Sequence, residues 1–148
     1  MKIKDYFNIR ELVDKDVYNR YGDKGWKFFC PLLLENLLIL REGLNIPLVI
    51  NNWYSGGKFS QRGLRHNRSE MVKNKSGIYL SPHMMGKAVD FHSPNMSSTD
   101  IRRWIKENED LFTCKIRLEE YFKGHEIGWV HFDVVHVEGK QKVSFFNV

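Results

Sequence analysis

Ser81-Pro82-His83-Met84-Met85-Gly86-Lys87-Ala88-Val89-Asp90 joins a histidine and a carboxylate through a short stretch that contains a glycine. Imidazole nitrogen and carboxylate oxygen are ligands that zinc accepts, and a catalytic zinc keeps three protein ligands with one position open. Gly86 permits a sharp turn or close backbone approach. Ala88-Val89-Asp90-Phe91 then alternates as a strand, with Ala88 and Asp90 on one face and Val89 and Phe91 on the other. A ligand-bearing loop thus leads into a strand whose first polar side chain is the second ligand. The third is expected from a distant strand, Trp129-Val130-His131-Phe132-Asp133-Val134-Val135, an apolar run interrupted by one histidine. The plain alternative is a hydrogen-bonded core histidine and an ordinary surface aspartate.

The pattern Ser-x-His-x-x-Gly-x-Ala-x-Asp followed by Trp-x-His resembles the zinc D-alanyl-D-alanine carboxypeptidase family of metallopeptidases, to which the hedgehog signalling domain is distantly related. Pro47 to Trp53 and Arg62-Gly63-Leu64-Arg65 also resemble segments of that family, with Leu64 where a tyrosine is common. The resemblance spans residues 31 to 137. It implies zinc held by His83, Asp90 and His131, with Ser81 hydrogen-bonding beside the site and Arg65 binding a substrate carboxylate. It further implies hydrolysis of peptide bonds in peptidoglycan stem peptides, either as a D,D-carboxypeptidase or as an endolysin-type endopeptidase.

One departure concerns the general base. Many relatives carry an acid three residues before the last zinc histidine, where this chain has Gly128. A hairpin turning about Gly124-His125-Glu126 predicts Glu119 directly opposite His131, close enough to reach a water at the metal. Glu126 is the second candidate, and Glu120 faces away. A one-residue slip in register would exchange the faces. The alternative function is a non-catalytic wall-binding or virion module that retains the zinc site.

His66, His92, His125 and His136 are lesser ligand candidates. His92 shares a strand face with Asp90 and suits an orienting role, and Asp133 shares a face with His131 and suits hydrogen bonding or ligation. Cys30 and Cys114 lack metal spacing and read as core thiols.

Elsewhere, Asn8-Ile9-Arg10-Glu11 has the form of a capping box opening a short helix. Pro31 starts the main buried helix, in which Leu33, Leu34, Leu37, Leu38 and Leu40 recur through Arg41, with an end near Gly43. Leu48-Val49-Ile50 reads as a buried strand. The glycine-bearing loop 53–76 reads as a cleft wall, with Trp53, Tyr54 and Phe59 either lining a groove or closing the core. Ser97 to Asp100 offer caps for a helix carrying Ile101, Trp104 and Ile105 on one face, and residues 142–148 suggest an edge strand. Helices early and between, with most strands late, predict an α+β fold with a small antiparallel sheet, as the family resemblance also implies.

The chain has 148 residues, 42% of them hydrophobic, which predicts a single domain with a real core. The net charge of +5 suits an anionic partner, for which the bacterial wall is preferred. Arg62, Arg65 and Arg68 crowd one loop, but no nucleic-acid-binding motif accompanies them. No apolar leader and no membrane-length run is visible. The expectation is a monomer synthesised in the cytoplasm that reaches the wall by a phage-lysis or virion route.

Overall fold

The computed structural model describes residues 1–148. Three α-helices and a four-stranded sheet form an α+β fold. The helices are α1 (Lys15–Tyr21), α2 (Pro31–Leu44) and α3 (Ser98–Glu107). The strands are β1 (Ala88–Phe91), β2 (Ile116–Phe122), β3 (His125–Asp133) and β4 (Val143–Asn147), in the spatial order β1-β3-β2-β4.

The helix signals in the sequence act as chemistry requires. Asn8 and Glu11 form the reciprocal capping box, although only one 3-10 turn, Ile9–Glu11, follows it. Pro31 occupies the first turn of α2, where its missing N–H costs nothing. This helix runs past Gly43 and ends at Asn45, whose left-handed backbone closes the last turn onto the Arg41 carbonyl. Leu33, Leu37, Leu40 and Leu44 form its buried stripe. Ser97 caps α3 by accepting from the Asp100 N–H, and Ile101 and Ile105 are fully buried.

One face of the sheet belongs to the core. Val89, Phe91, Ile116, Leu118, Val130 and Phe132 join the α2 and α3 side chains in a single apolar cluster. Each such side chain contributes about 1.5–3 kcal/mol through burial. The opposite face presents Asp90, Arg117, Glu119, His131 and Phe146 to a cleft. Strand alternation therefore separates stability from chemistry.

Three expectations about strands need correction. The sheet is mixed, because β4 pairs parallel to β2. Both sides of β3 are occupied by β1 and β2, so the returning chain takes the outer edge of β2. It runs opposite to β3 and hence along β2. Residues 48–50 contribute a single bridge, Val49 to His92, instead of a strand. The Asn51 and Asn52 amides donate instead to the Glu11 and Phe59 carbonyls, which ends the pairing. Finally, the hairpin turns at Lys123-Gly124, both at positive φ (50° and 80°), as a tight two-residue hairpin turn needs. A register shift between Glu119 and Tyr121 absorbs the difference from the expected turn.

Trp53 and Tyr54 do not line the cleft. The Trp53 indole donates to the Val13 carbonyl and its ring meets Tyr18 and Tyr54, so only Phe59 of the three aromatics reaches the groove. Cys30 and Cys114 are unlinked, half-buried thiols against the core. No helix is long and apolar enough to cross a membrane.

Candidate metal centre

His83 sits on a loop that two glycines allow to pack tightly. At Gly86 the backbone φ is 64°, and a Cβ there would lie 2.1 Å from the Phe28 carbonyl oxygen. At Gly63 a Cβ would strike the Leu12 carbonyl oxygen at 2.0 Å. The first glycine turns the ligand loop. The second lets its segment pack against the Leu12 backbone, and its own carbonyl lies 2.9 Å from His83 Nδ1. The segment is stitched in place by Arg65 N–H donating to the His83 carbonyl and Asp90 N–H donating to the Arg62 carbonyl.

Register brings the other two residues together. Asp90 pairs with His131 across β1 and β3, and Glu119 pairs with His131 across β2 and β3. His83, Asp90 and His131 are all buried, and their donor atoms lie within 4.8 Å of one another. The His83 Nε2–Asp90 Oδ2 separation is 3.2 Å and the His131 Nδ1–Asp90 Oδ1 separation is 2.8 Å. Ligand atoms about 2.0–2.1 Å from a tetrahedral zinc would stand roughly 3.3 Å apart. The group thus has the composition and spacing of a site that could bind a metal.

Hydrogen bonding selects the tautomers. The Gly63 carbonyl can only accept, so His83 carries its proton on Nδ1 and turns an Nε2 lone pair towards Asp90. His131 Nε2 lies 2.8 Å from Asp133 Oδ2, an arrangement that places a proton on Nε2 and turns Nδ1 towards Asp90. Arg117 grips Asp133 with both arms, Nε and Nη2 each at 2.9 Å, and stacks 4.6 Å from the Phe146 ring centroid. Carboxylate-backed imidazole is a familiar support for metal ligands. Asp133 therefore orients His131 instead of ligating.

Charge is concentrated at these residues. Burial alone would lower the His131 imidazole, but hydrogen bonds to Asp133 and Asp90 carry it up to about 9. Burial alone would raise the Asp90 carboxyl, yet His83 and His131 hold it well below the usual carboxylate range. Two carboxylates facing one imidazole favour a positive charge there, beside those of Arg65 and Arg117. A proton on His131 supplies it, and a divalent cation bound by the same atoms would do so in its place.

Glu119 is buried and makes no hydrogen bond or ion pair with another side chain. Burial is the main cause raising its carboxyl above the ordinary value, with the His131 charge opposing. Arg65 donates from Nε to the Gln61 carbonyl at 2.8 Å and lies 3.3 Å from Asp90 through Nη2. Ser81 is buried with its hydroxyl unpartnered. All three line the same cleft, a cavity of about 610 Å³, within the range of small-ligand sites.

The structure does not bring Glu126 to this cleft. Its carboxylate accepts from Thr99 Oγ1 at 2.6 Å and pairs with Arg102 at 3.0 Å. Arg102 is buried and also donates to the Trp129 and Ile127 carbonyls on the part of β3 that β1 leaves uncovered. Glu126 thus belongs to the clasp between α3 and β3. The remaining histidines are also engaged elsewhere: His66 with Asp14, His92 with Arg62, and exposed His136 with Glu138. His125 is exposed at the start of β3.

The Arg117–Asp133 pair was the site feature not foreseen in sequence. The register that sets Glu119 opposite His131 also sets Arg117 opposite Asp133, so the signal was present. No family model, curated protein or solved structure matches the chain.

Proposed function

We propose that this protein is a zinc-dependent hydrolase that cleaves peptide bonds in peptidoglycan stem peptides, with a fold of the hedgehog and D-alanyl-D-alanine metallopeptidase type. The single observation that carries the reading is the His83–Asp90–His131 group at the cleft, with the Glu119 carboxylate directly across the sheet from His131. The resemblance of the Ser81–Asp90 and Trp129–His131 segments to that family supplies the substrate class.

Zinc, when bound, supplies Lewis acidity and lowers the pKa of a coordinated water towards neutrality. Glu119 takes a proton from the attacking water and delivers it to the leaving amine. Its raised pKa brings it nearer to neutral pH, where a carboxylate both accepts and returns a proton effectively. Arg65 presents a planar cation beside Asp90 for a substrate carboxylate or for the developing oxyanion. The Ser81 hydroxyl has no partner within the chain and Ser81 lines the cleft, which suits it to a hydrogen bond beside the site.

Hydrolysis of purified peptidoglycan by the zinc-loaded protein tests the reading. Release of stem-peptide products that stops with a chelator and returns with zinc is the expected result. Intact stems after incubation with fully zinc-loaded protein would leave a non-catalytic wall-binding role.

A further inference from the structure

Four lysine and arginine side chains line the cleft, Lys58, Arg62, Arg65 and Arg117, against two acidic side chains, Asp90 and Glu119. Two of the cations face carboxylates of the chain. Arg65 pairs with Asp90, and Arg117 pairs with Asp133 beneath the cleft wall. Arg62 and Lys58 form no ion pair with any carboxylate of the chain.

Arg62 is nonetheless held firmly. Its guanidinium carbon lies 3.6 Å from the Phe59 ring centroid, and Nη1 is 2.7 Å from His92 Nδ1. Its Nε and Nη2 make no hydrogen bond within the chain. Lys58 Nζ lies 5.3 Å from the same Phe59 centroid, so one aromatic ring carries two cations without a counter-ion. Burial works against the Arg62 charge and Asp90 only partly offsets it. A rigid, partly desolvated guanidinium with free donors is already organised for a planar anion, since little side-chain freedom remains to be lost on binding.

We propose that Arg62 and Lys58, mounted on Phe59, form an anion subsite that binds a carboxylate of the substrate distinct from the one assigned to Arg65. The subsite rests on the peptidase reading only for the identity of its ligand. Its position limits where that carboxylate sits. His92, which anchors Arg62, follows Asp90 by two residues, just past the end of β1, a distance of roughly 6–7 Å along an extended chain. A substrate lying extended in the cleft would present its second carboxylate about two residues from the bond at the metal group.

Two probes separate the subsite from the peptidase reading. The first is acetate, titrated into the zinc-loaded protein and followed through the Arg62 Nε–H and His92 ring resonances. Saturable shifts of both signals are expected, with the His92 response lost in Arg62→Gln and weakened in Arg62→Lys and Lys58→Gln. Retained zinc stoichiometry shows that each variant is folded. An unchanged His92 response in Arg62→Gln, or no response in the wild type, would overturn the subsite.

The second probe is a pair of stem pentapeptides differing only in a free or amidated α-carboxylate on the D-glutamate residue. A charge-assisted hydrogen bond corresponds to about a ten- to hundredfold preference. The free carboxylate should lower KM by at least about tenfold in the wild type, and this preference should vanish in Arg62→Gln. Equal KM values for the two peptides in the wild type would overturn the subsite and spare the peptidase reading. Acetate binding at Arg62 with neither peptide cleaved would do the reverse.

Discussion

Glu119 on β2 and His131 on β3 are directly paired across the antiparallel ladder, and both side chains are buried on the cleft face. Directly paired residues place their β-carbons about 4.5–5.5 Å apart, so the carboxylate lies beside the His83–Asp90–His131 group that could bind a metal and is not among its three donors. Glu119→Gln keeps the shape and removes the proposed base. Hydrolysis should fall by about 10²–10⁴-fold while zinc content stays at the wild-type level. Wild-type turnover in this variant would remove Glu119 from the mechanism.

Glu126 should behave differently, since its partners are Thr99 and Arg102. Glu126→Gln is expected to retain hydrolysis and to melt at a lower temperature. Hydrogen bonds from Thr99 first, and from Arg102, hold its carboxyl below the ordinary value of 4.5. The stability it provides is therefore present above about pH 4.5 and lost as pH falls through the lower folded value. The melting difference between wild type and Glu126→Gln should be clear at neutral pH and shrink in acid. A difference that persists unchanged in acid would rule out the ion-pair origin.

Much of this arrangement was legible in the chain. Alternation in Ala88-Val89-Asp90-Phe91 and around His131 gave the two strands that carry Asp90 and His131, and pairing across the hairpin set Glu119 opposite His131 as observed. Two features escaped because they depend on non-local choices. The parallel pairing of β4 follows from β3 having no free side, which no local pattern records. The fate of Glu126 follows from the bare β3 edge that Arg102 covers, and an acid near a turn gives no sign of such a partner.

Asp133 holds the Nε2 side of His131 at 2.8 Å and is itself held by Arg117. Asp133→Asn can present its amide nitrogen to the ring and reverse the tautomer, which would spoil the Nδ1 lone pair. Zinc affinity should drop about 10–100-fold, as read by competition with a chelating indicator. Unchanged affinity would mean that the pair serves packing alone.

Arg65→Lys keeps the charge beside Asp90 but loses the planar fork. Most hydrolytic activity should be lost with zinc retained. Full turnover would show that only a point charge is needed at that position.

The metal group itself is tested most directly by zinc stoichiometry. Purified wild-type protein is dialysed against zinc and then against metal-free buffer, beside His83→Ala, Asp90→Ala and His131→Ala, and each is analysed for metal. One retained zinc per wild-type chain and substoichiometric zinc in all three variants is the expected result. One zinc retained with unchanged affinity in all three variants would contradict the assignment of His83, Asp90 and His131 as ligands.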